Sequence, residues 1–137
     1  LYVYDDSKLG CTDWDRQAPE FVSKTFRVHN PNRATIVLLP LDGCIVTGPT
    51  VTIGGVCDCA ILSELEMSFV EFKTNVDTQK EKTILLRATE AQEQLWHTYD
   101  GIVRPRCARL TSDFPYPLNL DFYVVFDEEL NVTGVKA

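Results

Sequence analysis

The sequence predicts an α+β domain (mixed α/β), with helices packed on a central mixed sheet. Three observations predict it. The segment from Arg33 to Ile53 is rich in Val, Ile, Thr and Leu and is broken at Asp42-Gly43 and Gly48-Pro49, with Gly54-Gly55 just beyond it. Residues 57–73, CDCAILSELEMSFVEFK, read as two apolar strands around a polar turn. Further on, Ile84, Ala88, Ala91, Leu95, Tyr99 and Ile102 recur at intervals of three or four, forming one helical stripe.

Taken in order, the first element is a helix from Pro19 to Val28. Pro19 suits a first turn, and Ala18, Phe21, Val22, Thr25 and Phe26 share a face. Asn30-Pro31-Asn32 stops it. Two or three strands come next between Arg33 and Ile53, then the hairpin of residues 57–73. The long helix runs from Asp77 to about Val103, capped by Asp77 or Thr78 and ended by Pro105. A loop with Pro115 and Pro117 leads to a last strand, Phe122 to Phe126. The 137 residues suit one domain with one core, residues 1–137.

Composition narrows the function classes. Apolar residues make up 45% and charged residues 24%, ordinary values for a globular chain. No apolar run approaches the roughly 20 residues that span a bilayer, so no membrane partner is expected. The net charge of −7, from 20 acidic and 13 basic residues, argues against tight nonspecific binding of nucleic acid but allows a small basic patch. Five cysteines show no CxxC pair and no His at ligand spacing, which argues against zinc. Cys57 and Cys59 read as small core residues, and reduced thiols in a cytoplasmic protein are expected. No signal-peptide pattern follows Leu1, which carries little weight in a sequence that does not open with Met. The sequon Asn131-Val132-Thr133 has meaning only with secretion. There is no Gly-rich phosphate loop before a helix and no GxSxG.

The hairpin raises the functional question, because Asp58, Glu71 and Lys73 sit among apolar neighbours. A four-residue loop, Ser63-Glu64-Leu65-Glu66, puts Leu62 opposite Met67, Ala60 opposite Phe69 and Asp58 opposite Glu71. The other face pairs Cys57 with Phe72, Cys59 with Val70 and Ile61 with Ser68. Both faces are apolar, which predicts a strand pair covered on both sides. Two opposed carboxylates repel, and a divalent cation turns repulsion into coordination. Lys73, two residues past Glu71, emerges on the same face. Against this stands a solvated ion pair worth little, and a one-residue slip would move Asp58 to the opposite face.

Asp58, twelve intervening residues and then Glu71-Phe72-Lys73 resembles the Asp…(Glu/Asp)-x-Lys signature of the PD-(D/E)XK nuclease superfamily. The segment order over residues 18 to 127 is similar to that family's restriction-endonuclease-like core of helix, three strands, helix and strand. The resemblance implies a metal-dependent nuclease that hydrolyses phosphodiesters in DNA or RNA. It implies Mg²⁺ or Mn²⁺ held by Asp58, Glu71 and the carbonyl of Phe72, with Lys73 positioning the attacking water. Members that place a Gln on the helix after the Lys strand make Gln92 and Gln94 candidates, with plain helix surface as the alternative for each. Glu20, the candidate for a first-helix Glu, opposes the face of Ala18, Val22 and Phe26 and reads as solvent-facing. No Pro precedes Asp58, and no Tyr lies four residues after either Gln. Small members of the fold work as dimers or beside larger partners, so a homodimer or a partner protein enters the expectation. The alternatives are a nuclease-fold binding or assembly module without catalysis, or an unrelated α+β interaction domain. Arg104, Arg106 and Arg109 form a small basic cluster, read as a solvated loop before phosphate contact. His97 is read as exposed and His29 as isolated.

Overall fold

The computed structural model describes residues 1–6, 8–20, 24–47, 55–73 and 81–126. The first sheet is a hairpin of β1 (Tyr2–Asp6) and β2 (Cys11–Asp15), with a short β3 (Phe26–Arg27) antiparallel to β1 at Tyr2 and Val3. Its turn is closed locally. Asp6 Oδ1 accepts the N–H groups of Lys8 and Leu9, and Gly10 takes a φ of 70° that a side chain would resist.

The second sheet has the order β4-β5-β6-β7, formed by β4 (Val37–Pro40), β5 (Cys59–Leu62), β6 (Glu66–Phe72) and β7 (Asn119–Val125). The first three strands are antiparallel neighbours, and β7 runs parallel to β6. A parallel pair needs a long crossover, and the segment containing α1 (Glu81–His97) supplies it. Pro40 is tolerated because β4 lies at the sheet edge. The chain is therefore α+β.

Both faces of the second sheet are covered, as its two apolar faces require. Ala60, Met67 and Phe69 pack with Leu95, Tyr99 and Ile102 of the helical run. Cys59, Ile61, Val70 and Phe72 pack with Val3 of the first sheet. The hairpin register is the expected one, with Leu62 opposite Met67 and Ala60 opposite Phe69. The helical stripe also holds, since Ile84, Ala91, Leu95, Tyr99 and Ile102 are buried. Among the described residues, no helix is long and apolar enough to cross a membrane.

Several expectations need correction. Residues 24–28 are extended, not helical: Phe26 pairs with Val3 and its ring lies 4.8 Å from Tyr123, so tertiary packing overrides the local apolar spacing. The long helix does not end at Pro105. A π-helical turn, Thr98–Val103, passes directly into α2 (Arg104–Ala108), where Pro105 occupies the first turn and needs no N–H partner. Cys57 does not share a face with Cys59. A bend at Asp58 breaks the strand alternation, and Cys57 lies in the helix-side core. The cysteines are not all thiols either, because Cys11 and Cys44 form a disulfide with their Cα atoms 6.0 Å apart. In the segment read as two or three strands, the described residues hold β4 and an isolated bridge between Asp42 and Val46. The other described residues of that segment are turn or irregular, and residues 48–53, the caps at Asp77 or Thr78 and the sequon lie outside the described residues.

Candidate active site

The backbone ladder of the β5–β6 hairpin stops at Cys59 and Val70. Two N–H groups just beyond it are taken by carboxylates. The Asp58 N–H donates to Glu71 Oε2 at 3.1 Å, and the Phe72 N–H donates to Asp58 Oδ2 at 2.7 Å. This answers why lone charges sit in apolar strands: each carboxylate satisfies a backbone donor of its opposite strand. One oxygen of each group, Asp58 Oδ1 and Glu71 Oε1, stands outside these two bonds. Glu71 Oε1 lies 3.5 Å from Lys73 Nζ, which donates to Gln94 Oε1 at 2.6 Å. Asp58, Glu71, Lys73 and Gln94 thus meet at the open end of the hairpin.

Three other segments hold this end. The Asp58 carbonyl accepts from the Leu41 N–H at 2.9 Å and the Thr12 hydroxyl at 3.3 Å. The Cys57 N–H donates to Thr98 Oγ1 at 2.8 Å, and that hydroxyl donates to the Gln94 carbonyl at 2.6 Å. Thr98 is fully buried and opens the π-helical turn, a local form that recurs at functional sites. Gly55 completes the support with a φ of 79°. A Cβ there would come within 3.2 Å of Gln94 Cγ, so the backbone approaches closely enough to confine that side chain.

The charges at this end oppose one another. Burial pushes the Glu71 carboxyl above its ordinary range, the Asp58 charge pushes it further, and Lys73 acts in the opposite direction. Burial also raises Asp58, as do Asp5 and Asp42, while the Phe72 N–H restrains the shift. Burial pushes the Cys57 thiol up to about 12 and raises Cys59 as well, in keeping with their places in the two cores.

Among the described residues, no group of three or more His, Cys, Asp and Glu is arranged to hold a metal ion. A two-carboxylate set is still chemically suited to Mg²⁺, which binds through one or two carboxylates and keeps several waters. Phe72, whose carbonyl the resemblance adds, is fixed beside them through its N–H bond to Asp58. The donors are hard oxygens and the local charge is predominantly negative, so the residues fit the ion.

Gln92 lies elsewhere. It is exposed and borders an apolar hollow with Leu95, Trp96 and Phe122 on another flank of α1. Glu20 is exposed. His97 is half-buried rather than exposed, with Nδ1 3.2 Å from the Gly55 carbonyl oxygen. The sequence reading missed Thr98, Thr12 and Gly55. Thr98 could have been found, because it stands four residues after Gln94 and therefore on the same helix face. Thr12 has no such signal, since only the folded chain brings it to Asp58. No family model, curated protein or solved structure matches this chain.

Proposed function

We propose that this chain is a metal-dependent nuclease of the PD-(D/E)XK type, hydrolysing phosphodiesters in DNA or RNA. The observation that carries the reading is the meeting of Asp58, Glu71 and Lys73 at one sheet end, with Gln94 bound to Lys73 at 2.6 Å. The strand order supports it, because three antiparallel strands, a crossover helix and a parallel fourth strand match the core that the resemblance implies. The leading helix of that core is not found among the described residues.

In this mechanism Asp58, Glu71 and the Phe72 carbonyl would hold Mg²⁺ or Mn²⁺. When bound there, the ion would supply charge relief at the attacked phosphate. Lys73 carries the remaining role. Its ammonium, aimed by Glu71 and Gln94, holds the attacking water and faces the charge that develops on the phosphate. Gln94 keeps that ammonium from folding fully onto Glu71. A second reading, a nuclease-fold module without catalysis, is favoured by one observation. Glu71 Oε2 and Asp58 Oδ2 each satisfy a backbone N–H, which is a structural task.

Cleavage assays on single- and double-stranded DNA and on RNA, with and without Mg²⁺, separate the two. Lys73→Ala is expected to lower cleavage by about 10²–10³-fold, the loss typical of one electrostatic donor. Calorimetry should find Mn²⁺ binding retained or slightly tightened in that variant, since a nearby positive charge is removed. Folded, metal-loaded wild-type protein that cleaves none of these substrates moves the reading to the non-catalytic module.

A further inference from the structure

The helical run continues past Pro105, and it brings Arg106 and Arg109 to face the loop after β4. With Ile45, Val46, Ile102 and Pro105 they border a groove of about 400 Å³. Its lining is mixed, with apolar side chains beside the two arginines, and no acidic side chain among the described residues lines it. Arg104 is already ion-paired with Asp100 at 2.6 Å. Arg106 and Arg109 are exposed, and their side chains have no ion pair or hydrogen bond among the described residues. In a chain of net charge −7, two guanidiniums therefore converge on one groove without an anion to answer them.

Both walls of the groove are tied to the carboxylate site. The loop wall starts at Leu41, whose N–H holds the Asp58 carbonyl. The helical wall starts at Thr98, whose hydroxyl holds the Cys57 N–H. Arg106 stands twelve residues beyond Gln94 along the same helical run, on the order of 18 Å at the α-helical rise. That is too far to touch the phosphate under attack. It suits a later phosphate of the same strand.

We infer that this groove binds the sugar–phosphate backbone of a nucleic-acid strand, a few nucleotides from the bond held at Asp58 and Glu71. The inference rests on the nuclease reading for its register. A guanidinium fork matches phosphate geometry and makes short, charge-assisted hydrogen bonds. The apolar side chains of Ile45, Ile102 and Pro105 beside the arginines take the sugar or a base. Such contacts position a strand without reading its sequence. The ligand is a polymer, since a mononucleotide cannot reach both places.

The test is fluorescence anisotropy with short labelled oligodeoxythymidine and, in a second arm, oligouridine. EDTA is present so that nothing is cleaved. Arg106→Ala/Arg109→Ala should bind about tenfold more weakly than wild type. Its plot of log affinity against log salt should be shallower by about 1.4, two contacts at roughly 0.7 each on a single strand. Arg106→Lys/Arg109→Lys should keep most of the slope. The two arms decide between DNA and RNA. Unchanged affinity and slope in the alanine variant overturns the inference, as does failure of the wild type to bind either strand. An equal loss in Arg16→Ala/Arg33→Ala, which alters a separate polar hollow, also overturns it by reducing the effect to diffuse charge. Mg²⁺-dependent cleavage with unchanged KM in the Arg106→Ala/Arg109→Ala variant removes the groove and leaves the nuclease. Arginine-dependent binding without any cleavage keeps the groove and removes the nuclease.

Discussion

Glu64 and Glu66 at the turn of the β5–β6 hairpin stand in solvent, whereas Glu71 at its open end is 5% exposed and Asp58 is half-buried. The turn closes itself, through a backbone bond of 2.9 Å from the Ser63 N–H to the Glu66 carbonyl. The open end does not. Its last N–H groups are closed by carboxylates, and its backbone is held by Thr12, Leu41 and Thr98 from elsewhere in the chain. The same residue types are thus solvated charges at one end and enclosed, opposed charges at the other. Covering layers make the difference. At the open end the fold limits water and fixes the carboxylate geometry from outside, leaving Lys73 as the cation beside Glu71.

The largest expected effect comes from the link behind Asp58. The Cys11–Cys44 disulfide, spanning 33 residues, joins the segments on which Thr12 and Leu41 hold the Asp58 carbonyl. Cys11→Ser/Cys44→Ser should lower stability by about 3–4 kcal/mol in denaturant titrations, if loop closure is the main term. Amide hydrogen exchange should localise the loss. Protection at Cys57 and Asp58 should fall well before protection at Ser63. Equal loss at both ends of the hairpin would break the comparison, because the open end would then depend on the outer segments no more than the turn does.

The hairpin was legible because its signal is local. Apolar residues on both sides of Ser63-Glu64-Leu65-Glu66 read as a strand pair, and the four-residue loop assumed between them gives the observed register, which brings Asp58 and Glu71 together. The stripe from Ile84 to Ile102 was legible for the same reason, even though a π-helical turn interrupts its phase at Thr98. The surroundings of the site were not legible. Phe26 carries spacing that fits a helix, yet its partners are Val3 and Tyr123, far away in sequence. Tyr2-Val3-Tyr4 has strand character, but nothing in it announces pairing with Cys11–Asp15. An odd number of cysteines shows only that at least one lacks an internal partner, not which two meet. Gln94 was legible as a candidate beside Gln92. Only the crossing of α1 over Gly55 and Lys73 separates them.

Thr98 offers a smaller and sharper probe. Thr98→Val keeps the shape but leaves the buried Cys57 N–H without its acceptor, a loss of about 1–3 kcal/mol. Thr98→Ser retains the oxygen and should recover most of the stability. Mn²⁺ affinity, read by calorimetry, should fall with Val and return with Ser, because the segment carrying Asp58 is anchored through that bond. Retained Mn²⁺ affinity in a destabilised Thr98→Val would confine Thr98 to the core and detach it from the site.

The smallest effect tests the electrostatic half of the comparison, and its sign is the informative part. Without metal, burial and the Asp58 charge hold the Glu71 carboxyl above its ordinary range despite Lys73. The folded chain therefore binds this proton more tightly than the unfolded chain does. Stability from that source is fully present below the unfolded value and is lost as pH rises through the raised folded value. Glu71→Gln keeps an oxygen to accept the Asp58 N–H and carries no charge. In EDTA at neutral pH it should be more stable than wild type by about 1 kcal/mol. The gain should disappear as pH falls into the ordinary carboxylate range, where wild-type Glu71 is protonated too. At the turn, Glu66→Gln should stay within about 0.5 kcal/mol of wild type at every pH. Saturating Mn²⁺ should reverse the order, because ligand binding stabilises only the chain that retains the site. Should Glu71→Gln prove less stable than wild type in EDTA at neutral pH, the 3.5 Å pair with Lys73 outweighs burial. The carboxylates of the open end would then be no more strained than those at the turn.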